Sequence, residues 1–138
     1  HSADRCQVYL RDMQAGTTTL VSQTPTGEAS NGDAREASIS DDGRYIAFTS
    51  EASNLVNDPV PSPQNTQIYL RDNALGATHM VNVTEDGAVA NWDGIWDLQI
   101  SPDGKTVYFA SYGSTVVPNT PNSHEGNRAC NAFLTRLR

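Results

Sequence analysis

The chain has 138 residues, is 37% hydrophobic, and carries a formal net charge of −7 with a mean hydropathy of −0.51. That length suits one domain, and no apolar run approaches the ~20 residues that a membrane helix needs, so membrane insertion is not expected. With one lysine, Lys105, and an acidic balance, the chain lacks the basic footprint of a nucleic-acid binder; the acidity reads as a solvated surface.

The first residue is His1 and no apolar signal segment follows, a pattern expected of a processed chain or an excised piece. The first strand is expected at Gln7-Val8-Tyr9-Leu10-Arg11-Asp12, where β-branched and aromatic residues cluster. A turn at Gln14-Ala15-Gly16 leads to a second strand near Thr18 to Ser22. A polar loop rich in Gly, Ser, Asn and Asp then runs from Thr24 to Arg35. A third strand lies around Glu36 to Ser40, and an Asp-Gly turn, Ser40-Asp41-Asp42-Gly43, joins it to a fourth at Tyr45 to Thr49. Asp-Gly supplies the positive φ of a tight hairpin turn. A Pro- and Asn-rich connection, Asn57 to Thr66, closes the unit.

The chain then repeats itself. Gln7 to Asp12 returns 60 residues on as Gln67 to Asp72, and Gly16, Gly27 and Asn31 return as Gly76, Gly87 and Asn91. Ile39 and Gly43 return as Ile100 and Gly104 at a spacing of 61, so one residue is inserted between Asn91 and Ile100. The corresponding strands fall at Gln67 to Asp72, His79 to Val83, Asp97 to Ser101 and Thr106 to Ala110. A degraded third start is Asn131-Ala132-Phe133-Leu134, giving units that begin near residues 7, 67 and 131 within one domain, 1–138. No segment holds a 3.6-residue period, so no long helix is expected. The runs Tyr45-Ile46-Ala47-Phe48 and Val107-Tyr108-Phe109 are apolar on both faces, which calls for sheets stacked on sheets. Four strands per unit of about 60 residues, covered on both sides, describe the blades of a β-propeller.

Ser101-Pro102-Asp103-Gly104-Lys105, followed by strand residues ending at Phe109, resembles the TolB-type propeller repeat, a distant relative of WD repeats. Ser40 to Phe48 is similar, with Asp41 in the place of Pro. Gln7 to Asp12 and Gln67 to Asp72 resemble the family's Ile-Tyr-Leu-x-Asp strand, and Ala52-Ser53-Asn54-Leu55-Val56 resembles a subgroup of secreted bacterial repeats. The resemblance implies an all-β chain of about two four-stranded antiparallel blades, with the Ser-Pro-Asp-Gly hairpin as the inner pair of each blade. The chain would open on an outer pair, pass through one complete blade and end inside another. Closed propellers hold about four to eight blades, so the expected object is a fragment of a longer propeller, or a homo-oligomeric ring completed through blade faces. The resemblance also implies a secreted or periplasmic location.

The clearest departure from the repeat is Asn91-Trp92-Asp93-Gly94-Ile95-Trp96-Asp97, which holds both tryptophans and the inserted residue. It enters the innermost strand, so Trp92, Asp93, Trp96 and Asp97 form the candidate ligand site: two indole faces for stacking and two carboxylates to accept hydroxyls. Packing between blades is the commoner use of such rings. No cofactor is expected. Calcium could be held by Asn54, Asn57 and Asp58, or by Asn91, Asp93 and Asp97, although turn chemistry accounts for these residues without an ion. Asp41, Asp42 and Asp103 belong to the hairpin turns rather than to acid/base chemistry. His1, His79 and His124 are scattered, and no nucleophile elbow or His-Glu-x-x-His pattern occurs. Cys6 and Cys130 lie near opposite ends of the chain, and a flat blade array would hold them too far apart to bridge. The expected function is a non-enzymatic binding or scaffold module with a protein or glycan ligand. The alternatives are a lectin-like or calcium-dependent sugar-binding domain, or a propeller fragment of a larger secreted hydrolase.

Overall fold

The computed structural model describes residues 5–57, 66–81, 95–111 and 131–136, and among them every regular element is a β-strand. In chain order these are β1 (Tyr9–Asp12), β2 (Thr17–Leu20), β3 (Ala34–Ile39), β4 (Tyr45–Ser50), β5 (Gln67–Asp72), β6 (Ala77–Met80), β7 (Ile95–Ile100), β8 (Thr106–Ser111) and β9 (Asn131–Arg136). They form three antiparallel sheets: β1-β2, then β3-β4-β5-β6, then β7-β8-β9. The chain thus opens on an outer hairpin, builds one complete four-stranded blade, and ends inside a third sheet. The described residues form an all-β fold of antiparallel sheets, with one four-stranded sheet of propeller-blade type.

The two Asp-Gly turns are built from the same bonds. In the first, Ser40 Oγ donates to Asp42 Oδ1 at 2.7 Å and accepts from Tyr45 N at 3.0 Å. Asp42 Oδ1 also accepts from Arg44 N at 3.0 Å, and Gly43 N donates to Ser40 O at 3.0 Å. In the second, Ser101 Oγ donates to Asp103 Oδ1 at 2.6 Å and accepts from Thr106 N, while Asp103 accepts from Lys105 N. Gly43 and Gly104 both have φ of 74°, the left-handed region that glycine enters at no steric cost. The serine hydroxyls, followed by the backbone N–H groups, hold both carboxyls below the usual carboxylate range.

The outer hairpins also repeat. Asp12 Oδ1 accepts from Gln14 N and Ala15 N, both at 2.9 Å, and Asp72 Oδ1 accepts from Ala74 N and Leu75 N. Asp72, 5% exposed, also receives both arms of Arg44, Nε at 3.0 Å and Nη2 at 3.1 Å. That fork ties the inner hairpin β3-β4 to the outer hairpin β5-β6.

Alternation along β4 explains the stacking. Ile46 and Phe48 point to one side, into a cluster with Val8, Val21, Leu55 and Tyr69. Ala47 points to the other, into a cluster with Ile68, Leu70, Leu98, Ile100, Val107 and Phe109. The complete blade therefore carries core on both faces, against β1-β2 on one side and β7-β8 on the other. Among the described residues, direct bonds that cross the second seam include Asp41 N to Pro102 O at 2.9 Å and Ile100 N to Ser38 Oγ at 3.0 Å.

The structure differs from the sequence-based expectation in several places, among them the second outer strands, where β2 is Thr17–Leu20 rather than Thr18 to Ser22 and β6 begins at Ala77 rather than His79. The first strand begins at Tyr9 rather than Gln7. Gln7 instead serves as a side-chain hub, its Oε1 accepting from Ser22 Oγ at 2.6 Å and Ser30 Oγ at 3.0 Å. The inner strands begin earlier than Glu36 and Asp97, at Ala34 and Ile95, because each contains a bulge with its ladder shifted between Arg35 and Ser38 or between Trp96 and Gln99. The run Val107-Tyr108-Phe109 is covered on one face only: Val107 and Phe109 are buried and Tyr108 is 45% exposed. Tyr108 stands on the face of the third sheet turned away from the complete blade.

Candidate functional site

At the end of the blades opposite the Asp-Gly turns, the start of β3, the end of β4 and the starts of β5 and β7 converge on an open cleft of about 200 Å³. Its polar lining is Asp33, Arg35, Glu36, Thr49, Ser50 and Glu51, with Thr66 and Ile95 completing the wall. The loop before β3 is fixed there by backbone bonds. Asp33 O accepts from Glu51 N and from Ser50 Oγ, each at 2.9 Å, and Arg35 O accepts from Thr49 Oγ1 at 3.0 Å. Gly32 lies so close to the next strand connection that a Cβ there would sit 2.6 Å from Ala52 N. Asn31 completes the stitch: its N–H donates to Asn54 Oδ1 at 3.0 Å and its Oδ1 accepts from Ser53 N at 2.9 Å.

Within the lining, Asp33 and Arg35 pair with each other. Asp33 Oδ2 accepts from Arg35 Nη2 at 2.9 Å, and Asp33 Oδ1 accepts from Cys6 N at 2.9 Å. Asp33 first, and Cys6 second, raise the Arg35 guanidinium above its ordinary value. Glu36 is different. It sits in the bulge of β3 at φ 43°, a left-handed conformation that side-chain-bearing residues adopt at a cost. Its repeat partner Asp97 sits in the bulge of β7 at φ 55°. Both are exposed. Partial burial, and secondly the nearby Asp97 carboxylate, push the Glu36 carboxyl above its ordinary value. Two like charges are thus presented by equivalent positions on neighbouring innermost strands.

A pH dependence follows. Because the folded chain holds the Glu36 proton more tightly than the unfolded chain does, this group stabilises the fold more as pH falls through its raised value, and less above it. Asp42, Asp72 and Asp103 have the opposite sign: their lowered values give stability present above the ordinary carboxylate value and lost as pH falls through the folded one. Thermal melts of the wild type should therefore rise slightly on acidification from pH 7, then fall steeply below about pH 4. Glu36→Gln should abolish the initial rise and leave the steep fall. Because Glu36 is exposed, the rise should shrink in 0.5 M salt, where the screening length is only a few ångström. An unchanged profile in Glu36→Gln would remove the coupling to Asp97.

Of the four site residues expected from sequence, the structure describes Asp97 fully and Trp96 through its backbone, which pairs with Ala110. Trp92 and Asp93 lie outside the described residues, as does the rest of the loop before Ile95. Ile95, the first described residue after that loop, lines the cleft. For calcium, Asn57 is exposed, Asn54 is engaged by Asn31, and Asp58 and Asn91 lie outside the described residues. Among the described residues no three His, Cys, Asp or Glu groups gather as metal ligands. Cys6 is an exposed free thiol, and Cys130 lies outside the described residues. Sequence reasoning missed Asp33, Arg35, Glu36 and Glu51 as cleft residues. The signal that could have found Glu36 is the repeat itself, since an acid stands at both positions of the 61-residue spacing.

No protein-family profile and no curated protein matches the chain. Among solved structures the chain is similar to TolB from Acinetobacter baumannii, known from a crystal structure, with 24% identity and a TM-score of 0.46 over 94% of this chain and 26% of that one. The chain spans about a quarter of the length of that protein.

Proposed function

We propose that the chain is a non-enzymatic binding module of propeller type, acting outside the cytoplasm, whose ligand is a protein or glycan contacted at the cleft end of the blades. The observation that carries this reading is the cleft: an open, mostly polar recess formed where the innermost strands of two blades begin, with Glu36 in its lining and the Asp97 carboxylate near Glu36 in the matched bulge of the next strand. Its volume suits one sugar ring or one long side chain rather than a whole cofactor, which needs a pocket of roughly 300 Å³ or more. Hydroxyl donors or a basic side chain complement the carboxylates.

One observation favours a sugar as the ligand. Trp92 and Asp93 stand within five residues of Asp97 in the sequence, and Ile95, two residues after Asp93, lines the cleft, so an indole face and a second acceptor carboxylate are close in sequence to its wall. Glycan arrays probed with wild type, with Glu36→Gln plus Asp97→Asn, and with Trp92→Ala plus Trp96→Ala test both readings. Loss of a glycan signal in the tryptophan pair and in the carboxylate pair supports the lectin-like form. Wild-type binding to either glycans or proteins that persists in both double variants would sink the site. Loss of binding in EDTA, restored by calcium, would add an ion to it.

A further inference from the structure

The repeat allows the two seams of the complete blade to be compared position by position, and they are unequal. At the β7-β8 side, Leu98 and Ile100 are 6% and 7% exposed, packed with Tyr45 and Ala47 of the preceding blade. At the β1-β2 side, their equivalents Ala37 and Ile39 are exposed, Ile39 at 46%. They line an apolar groove of about 150 Å³ with Val8, Leu10 and Ile46. Tyr45 lies over Gly104, whereas nothing comes within 4 Å of a Cβ built on Gly43. Among the described residues β1 pairs with β2 alone, so the edge that β5 gives to β4 is open on β1. The missing element is an inner hairpin, bearing a residue at the position of Ala47 to enter the groove.

We propose that this hairpin is β7-β8 of a second copy, so that chains join head to tail and each joint is a four-stranded blade made of β7-β8 from one chain and β1-β2 from the next. The register follows from the complete blade, where Tyr45 pairs with Asp72 and Ser50 with Gln67. It places Thr106 opposite Asp12, Tyr108 opposite Leu10, Phe109 opposite Tyr9 and Ser111 opposite Gln7 of the second copy. Three features of the chain favour this occupant. Tyr108 takes the position of Ala47 and is the exposed aromatic of β8, matched to the apolar groove beside Leu10 and Ile39. Phe109 meets Tyr9 as Phe48 meets Tyr69, whose rings stack at 5.8 Å. Lys105 takes the position of Arg44 and Asp12 that of Asp72, recreating the ion pair of the complete blade. The present neighbour of β8 lacks that complement: Arg136 of β9 stands opposite Thr106, where Asp72 stands opposite Tyr45. β9, paired with β8 over six residues here, and the second copy's β1 therefore compete for one edge of β8, and β1 is the strand that offers an acid, Asp12, opposite Thr106.

Each chain supplies two blades in this arrangement, so closed rings of four to eight blades hold about two to four chains. Light scattering on the full chain should give a mass of two to four times 14.9 kDa. Tyr108→Asp and Ile39→Asp each alter an exposed position and should each reduce it to one chain without changing the far-ultraviolet circular dichroism. In a Cys6→Ser, Cys130→Ser background, mixed Asp12→Cys and Thr106→Cys chains should form a disulfide between unlike chains, because paired antiparallel positions lie ~4.5–5.5 Å apart at Cα, within the range for a bridge. A mass of one chain at all concentrations overturns the proposal and leaves the groove to a hairpin elsewhere in a longer polypeptide. A multiple mass without that cross-link overturns it in favour of a different contact.

Discussion

Replacing Tyr69 by alanine should cost about 3–5 kcal/mol, the range for deleting a large, fully buried aromatic side chain. Tyr69 is fully buried in the middle of β5 and stacks on Phe48 of β4 with an interplanar angle of 25°. Its ring belongs to the cluster that joins the complete blade to β1-β2, so the cavity would open between sheets rather than within one. The hydroxyl donates to Ala52 O at 3.2 Å, and burial pushes the phenol up to about 12. The tyrosine is thus neutral throughout the range in which the fold is stable. Tyr69→Phe keeps the ring and leaves Ala52 O without its donor, a loss of roughly 1 kcal/mol. Urea unfolding of both variants separates the two contributions. If Tyr69→Ala lost no more than Tyr69→Phe, the β1-β2 hairpin would not be docked as described. Because the hairpin is small, Tyr69→Ala should also expose Val8 and Val21 first, seen as early loss of amide protection there.

How much of this was legible in the sequence depends on which atoms do the specifying. The Asp-Gly hairpins were legible because their own side chains close them: Ser40 and Asp42, or Ser101 and Asp103, satisfy the turn with bonds spanning at most five residues. Strand β4 was legible because both of its faces are apolar, and β5 because the repeat copies it. The bulges were not legible. Left-handed backbone is usually announced by glycine or asparagine, and here glutamate and aspartate adopt it, held by pairing on either side of the irregularity. Missing the bulges hid Glu36 from the candidate site while keeping Asp97. The cleft was hidden for a related reason: Asp33, Arg35 and Glu51 are far apart in sequence from Ile95, and only the stacking of two blades brings them together. The exposed Tyr108 was misread as covered on both faces because the residues around it copy those of β4, whereas its exposure depends on what lies against the third sheet.

Gly104→Ala and Gly43→Ala should differ sharply even though the two glycines share a motif and a φ of 74°. At either position alanine must adopt a left-handed conformation, costing roughly 1–2 kcal/mol. At Gly43 that is the whole cost, since nothing lies within 4 Å of the new methyl group. At Gly104 the methyl would also overlap the Tyr45 ring, which rests on the glycine from the preceding blade. Tyr45 is not free to yield: its backbone N–H is bound to Ser40 Oγ, its ring carries the Arg44 guanidinium 4.9 Å from the centroid, and it packs against the cluster of Ile100 and Val107. Overpacking of this kind adds roughly 1–3 kcal/mol, for a total of about 2–5 kcal/mol. Chemical denaturation of the two variants side by side gives the difference directly, with the left-handed cost common to both. Tyr45→Ala in the Gly104→Ala background should recover the overpacking part alone. Equal losses at Gly43 and Gly104 in a sample of single chains would mean that Tyr45 does not cover Gly104, and that the second seam is no tighter than the first. In an assembled sample, the same equality would instead place Thr106 of a second copy over Gly43, so the comparison belongs at a concentration where the mass is that of one chain.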